Sequence, residues 1–236
     1  MSRRIEGGLT SQLNPFGPQW PTSKDPAQIP SVGEQVQRAL FSRPLPLVLD
    51  PAKFPMLAEQ MRLLNRYKKK LAQLAGDEDD DYTLNLADGP IAQIDEQGNI
   101  YMGAQFLFAA RDNPELMVGV LAHEIGHRPR RWADYKVRKE LTKEDLEALC
   151  RHEETRADLF SGRALAELEM SCEPLAQFLV NETQLATPHP EYFPPDVRAQ
   201  VIRDAHMSRG YALESRKKLF PDYERLHSPK GHIGEF

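Results

Sequence analysis

The chain has 236 residues, 40% hydrophobic and 28% charged, at a formal net charge of -5, a balance that excludes a fibrous or wholly disordered protein. Its mild acidity argues against nucleic acid as a partner; no apolar run approaches the ~20 residues of a membrane span, and no apolar stretch behind the first charges predicts a secretory signal. Only two cysteines occur, Cys150 and Cys172, both in segments that read as helices, so no disulfide framework is expected and the expected location is cytoplasmic.

Residues 1–54 are rich in proline, interrupted by one helical stretch over 32–41. They read as an arm with little core of its own, either a leader lying over the surface or a pro-segment or lid. The main domain is expected over 55–213 and a C-terminal tail over 214–236. Either arm or tail is a candidate intramolecular inhibitor that would keep the chain latent, as in a zymogen.

Within the domain, Leu57, Met61, Leu64, Tyr67, Leu71 and Leu74 recur at three- and four-residue steps and predict an amphipathic helix closed by Gly76. The acid run from Asp77 to Asp81 lacks the spacing and glycine of a calcium loop and reads as a solvated linker. Tyr82, Leu84 and Leu86 alternate as in a strand. Ile91–Asp95 and Asn99–Gly103 flank the turn signal Glu96-Gln97-Gly98 and predict a hairpin. The pattern then turns helical. Asn113 suits an N-cap, Pro114 the first helical position and Glu115 the helix dipole, with Pro129 as the stop. A second long helix is expected from the cap Thr142 to about Met170, a third after Ser171, and others over 195–210 and 211–220. A small sheet followed by helices is an α+β arrangement.

Inside the Asn113 helix lies His123-Glu124-Ile125-Gly126-His127. Residues four apart share a helix face, so both imidazoles can meet one metal ion, while Glu124 sits beside that ion without binding it and can take a proton from water. A catalytic zinc needs a third protein ligand and an open fourth position. Downstream runs Arg151-His152-Glu153-Glu154-Thr155-Arg156-Ala157-Asp158. Glu154 and Asp158 are four apart, so one can bind the metal while the other accepts the spare N–H of a ligating histidine. Glu153 and His152 compete for the role of third ligand, but the partner of Glu153 one turn on is Ala157, which orients nothing.

Together, the hairpin from Ile91 to Gly103, the helix entry Asn113-Pro114-Glu115-Leu116-Met117-Val118-Gly119-Val120-Leu121, HEIGH at 123–127 and ETRAD at 154–158 resemble the gluzincin metallopeptidases. Within that group they resemble the family of the CAAX prenyl protease, the heat-shock protease HtpX and the soluble minigluzincins. The match spans roughly Ile91 to Leu165. The resemblance implies a small, mainly antiparallel sheet packed against a mostly helical zincin-like core. It implies one Zn²⁺ per chain held by His123, His127 and Glu154, with Glu124 as base and Asp158 behind a ligating histidine.

The expected function is a zinc-dependent endopeptidase, a hydrolase acting on a protein or peptide through zinc-bound water activated by Glu124. Substrate is expected to lie extended along Asn99, Ile100, Tyr101, Met102 and Gly103 as an edge strand. His189, Tyr192 and Arg198 are candidates for binding the oxyanion or capping the zinc, since family members carry a His-Pro pair before an arginine; here the gap is longer. Two alternatives stay open. One is a cytosolic regulatory peptidase of IrrE/ImmA type that cuts one partner; the other is a zinc-bearing binding module without catalysis.

Overall fold

The computed structural model describes residues 29–89, 92–183 and 190–208. The expected helix over 211–220, the C-terminal tail and the first 28 residues of the arm lie outside them.

Helix α1 (Val32–Phe41) opens with a reciprocal cap: the Ser31 hydroxyl accepts from the Glu34 N–H at 3.1 Å, and the Glu34 carboxylate accepts from the Ser31 N–H at 2.7 Å. Val36, Leu40 and Phe41 are buried in the same core as the rest of the protein. The boundary drawn at residue 54 therefore does not match the packing: this part of the arm is a wall of the domain. Helix α2 (Ala58–Ala75) buries Leu64 and Leu71, and Gly76 ends it at φ 75°, a left-handed turn that costs glycine little.

The acid run that follows is a tether, contrary to the linker expected. Asp77 accepts from Arg128 Nε at 2.8 Å and from the Tyr82 hydroxyl at 2.7 Å. Lys68 of α2 donates to the carbonyls of Asp79 and Tyr82 at 2.6 and 2.7 Å. One cation comes from the preceding helix and the other, Arg128, from 51 residues on, a partner that a local reading could not supply.

Three strands follow: β1 (Thr83–Ala87), β2 (Ala92–Ile94) and β3 (Asn99–Gly103), in the order β1-β3-β2. The hairpin between β2 and β3 forms as expected, but β1 pairs with β3 in parallel, Thr83 opposite Asn99 through Ala87 opposite Gly103. The sheet is thus mixed rather than mainly antiparallel. A second correction follows. Asn99, Ile100, Tyr101, Met102 and Gly103 form the central strand, bonded on both sides, so they offer no edge to a substrate.

The outer side of β1 is itself dressed, since Leu49 donates to the Leu86 carbonyl and Asp88 to the Leu47 carbonyl, both at 2.8 Å. Among the described residues, β2 has a pairing partner only in β3. Asp95 donates to the Asn99 carbonyl at 3.0 Å. By the alternation of an antiparallel ladder, Gln93 faces Tyr101 and the backbone groups of Ala92 and Ile94 turn outward.

The chain then becomes helical: α3 (Ala104–Ala109), absent from the expectation, α4 (Pro114–His127), α5 (Arg130–Ala133), α6 (Lys143–Glu167), α7 (Glu173–Thr183) and α8 (Pro195–Ser208). Asn113 and Thr142 cap α4 and α6 through bonds of 3.1 Å to the N–H groups of Leu116 and Asp145. Gly126 brings α4 onto α6, where an added Cβ would lie 2.9 Å from the Ala157 Cα. Gly162 does the same for α6 and α8, with a Cβ 2.3 Å from the Ile202 carbonyl oxygen. Among the described residues no helix is long and apolar enough to cross a membrane. The result is an α+β fold in which α4 runs between the small sheet and α6.

Candidate metal centre

His123 and His127 stand one turn apart near the end of α4, and Glu154 faces them from the middle of α6. One donor atom from each lies within 4.8 Å of the others. His123 Nε2 is 3.3 Å from one Glu154 oxygen and His127 Nε2 is 3.8 Å from the other. Tetrahedral zinc with bonds of ~2.1 Å would set its ligands about 3.4 Å apart, so two imidazoles and a carboxylate at these spacings suit it.

The orientation of His123 has a visible cause. Its Nδ1 is 3.0 Å from Asp158, which is buried one turn beyond Glu154. That bond fixes the tautomer and turns Nε2 toward Glu154. Asp158 is held in turn by a two-pronged bond from Arg198, with Nε at 2.7 Å and Nη2 at 2.9 Å; the same Nη2 lies 3.4 Å from Glu154.

Burial works to lower the His123 pKa, but its bonds to Asp158 and Glu154 win and push it up to about 10. The two carboxylates thus demand a positive charge at this point. A divalent cation would displace the proton and supply that charge. Burial works to raise Glu154, and the neighbouring imidazoles and Arg198 hold it well below the usual carboxylate range.

His127 is kept neutral by different means. Burial, helped by the positive charge at His123, pushes it down to about 4. Its ring meets the edge of Phe41 at 5.6 Å, and its Nδ1 has no hydrogen-bond partner among the described residues. A neutral imidazole is the form that binds metal.

Glu153 is bound by Arg156 and Arg131, whose charges hold its carboxyl below the usual range against the effect of burial, and one of its oxygens lies 3.9 Å from His127 Nδ1. His152 is not among the clustered donors.

Glu124 lines a cleft of about 550 Å³ together with His123, His127 and Glu154. It is 8% exposed, and burial, with the Glu154 charge added, pushes its pKa up to about 7 despite the cations at His123, Arg43 and Arg198. A carboxyl so placed can hold or release a proton near neutrality.

The remaining expected residues divide. Arg198 donates to Asp158 and lies 3.4 Å from Glu154, the carboxylates that face His123. Tyr192 does line the cleft: its hydroxyl accepts from Arg43 at 3.0 Å, and its ring lies under the Arg198 guanidinium at 5.0 Å. His189 lies outside the described residues. None of Asn99 to Gly103 lines the cleft; Ala92, Gln93 and Ile94 do.

Four cleft residues, Leu40, Phe41, Arg43 and Pro46, come from the segment read as an arm. The four-residue spacing of Val32, Val36 and Leu40, behind the Ser31 and Glu34 cap, is a signal for a packed helix. Nothing in the sequence singles out Arg43. Comparisons with protein-family models, curated proteins and solved structures returned no match to the chain.

Proposed function

We propose that this chain is a zinc-dependent peptidase of gluzincin type, holding one Zn²⁺ on His123, His127 and Glu154 and using Glu124 as general base. One observation carries the reading. A buried carboxyl with its pKa near 7 stands beside a His-His-Glu donor set in an open cleft, which is the combination that metal-assisted hydrolysis requires.

His123, His127 and Glu154 would hold the Zn²⁺, which would supply Lewis acidity and make water acidic enough to lose a proton near neutrality. The protein does the rest. Glu124 accepts that proton and delivers it to the leaving amine, and its raised pKa suits both directions of transfer. Asp158 and Arg198 keep His123 facing the ion, so the donor set needs no rearrangement when charge develops. Tyr192, which lines the cleft with its ring against Arg198, is the candidate donor to the carbonyl oxygen.

A peptide chain would lie beside β2, whose Ala92 and Ile94 turn their backbone groups outward, and would extend the sheet by one strand. This replaces β3, which has no free edge. Latency imposed by residues 1–28 or by the tail falls outside the described residues, so the full chain and a truncation lacking residues 1–28 belong side by side in any assay.

The decisive experiment is Glu124→Gln in zinc-loaded protein, assayed on fluorogenic casein-derived peptides with metal content measured in parallel. The variant should keep one zinc per chain and lose about 10²–10⁴-fold in rate. Equal rates for variant and wild type, with equal zinc, would remove Glu124 from the mechanism.

A further inference from the structure

Arg43 follows α1 directly and is absent from every part of the chain that resembles a peptidase. Two arginines line the cleft, and they are used differently. Arg198 is buried and spent on Asp158 and Glu154. The Arg43 side chain is 46% exposed, and it uses Nη2 for the Tyr192 hydroxyl at 3.0 Å and for Glu191 at 3.5 Å. Its Nε and Nη1 make no hydrogen bond among the described residues.

A guanidinium presents five donors in a planar fork whose geometry matches a carboxylate. The fork at Arg43 is steadied on one prong by Tyr192, and the residue lines the cleft. The same cleft is lined by the apolar side chains of Leu40, Val120, Leu175 and Phe178. Glu191 matters here, because it is a carboxylate of the chain itself, 5% exposed, already drawn to the same arginine. The site has thus been built to hold a carboxylate near the catalytic cleft.

We propose that Arg43 is the specificity determinant of the cleft: it selects peptides that present a carboxylate next to an apolar side chain close to the scissile bond. The inference rests on the peptidase reading of the same cleft. The carboxylate has two sources, the C-terminal group of a peptide or an aspartate or glutamate side chain. In either case Arg43 binds substrate and takes no part in proton transfer.

The test uses full-length, zinc-loaded protein and two matched pairs of fluorogenic hexapeptides. The first pair ends in leucine as the free acid or as the carboxamide; the second, with both ends blocked, carries glutamate or glutamine beside a central leucine. One acid-bearing member should exceed its neutral partner in kcat/KM by about 10–100-fold, the worth of a charged hydrogen-bonded pair, and the pair that responds identifies the source. Arg43→Ala should bring that ratio close to one, and Arg43→Lys should leave an intermediate value. Glu191→Gln, which removes the internal competitor, should raise it.

Binding of the same peptides to zinc-loaded Glu124→Gln, followed by fluorescence anisotropy, reads the preference without turnover. Acid-selective binding without cleavage by either wild type or the truncation lacking residues 1–28 would keep Arg43 as the carboxylate-binding residue of the cleft and overturn the peptidase reading. Cleavage with no preference in either pair, or a preference unchanged in both Arg43 variants, would overturn the assignment and leave the peptidase reading intact.

Discussion

On one side of the cleft, α4, α6 and α8 meet with almost no room between their backbones, Gly126 and Gly162 marking the contacts, and Asp158 is paired with both His123 and Arg198. On the other, β2 is three residues long, and two of them turn backbone donors and acceptors away from the sheet. The first wall holds the donor atoms of His123, His127 and Glu154 within 4.8 Å of one another; the second leaves hydrogen-bonding capacity on β2 unused within the sheet. Buried charge explains the difference. A carboxylate such as Asp158, 1% exposed, is tolerated only when every oxygen is satisfied, and satisfying it immobilises the groups around it. The sheet wall carries no such demand and can stay open.

The harshest way to break this contrast is Asp158→Asn. The substitution keeps volume but removes the charge that holds Arg198, leaving that buried guanidinium with Glu154 as its remaining carboxylate. Zinc affinity should fall about 10–100-fold as His123 loses its orientation. Global stability of the metal-free protein should fall by about 3–5 kcal/mol, as for a buried pair stripped of one partner. Chelator-competition titration and urea melts measure the two effects. Zinc affinity within twofold of wild type would mean that Asp158 does not position His123.

A gentler probe of the same wall is the pH dependence of metal-free stability. The Glu124 pKa is raised from 4.5 to about 7, chiefly by burial. Its contribution is therefore fully present below pH 4.5 and is lost as pH rises through about 7, where the fold must accommodate a buried anion. Glu124→Gln has no such cost. In EDTA-treated protein the variant should gain on wild type between pH 4.5 and 8, by up to about 3 kcal/mol. Zinc should narrow the gap, since the cation favours the carboxylate. A difference between the two proteins that stays constant from pH 5 to pH 8 would show that Glu124 titrates alike in folded and unfolded chains.

The same contrast explains what could be read in advance. The helical wall announces itself locally: Asn113, Pro114 and Glu115 start α4, Pro129 stops it, and the His123–His127 and Glu154–Asp158 spacings put each pair on one face by helix periodicity alone. Only the docking of α4 on α6 is non-local, and Gly126 hinted at it. The sheet wall depends on pairing between segments. Asn99–Gly103 looks the same as a sequence whether it sits at an edge or in the centre, and its place was decided by Thr83–Ala87 adding in parallel on its other side. Arg43 and the acid run lie further out of reach, because their partners Tyr192, Glu191 and Arg128 are distant in the chain.

The sheet wall can be tested from the substrate's side. A peptide paired with β2 would use the outward groups of Ala92 and Ile94 and skip Gln93, so its own backbone should matter at every second residue. N-methylation along a cleaved peptide should raise KM by about 2–10-fold at alternate positions, the worth of one hydrogen bond each, and leave the intervening positions near their starting values. Zinc content should not change, because nothing on the helical wall is touched. A scan that is flat, or sensitive at consecutive residues, would mean that substrate is held by its side chains rather than as an added strand, and would move the burden of recognition from β2 to the pocket around Arg43.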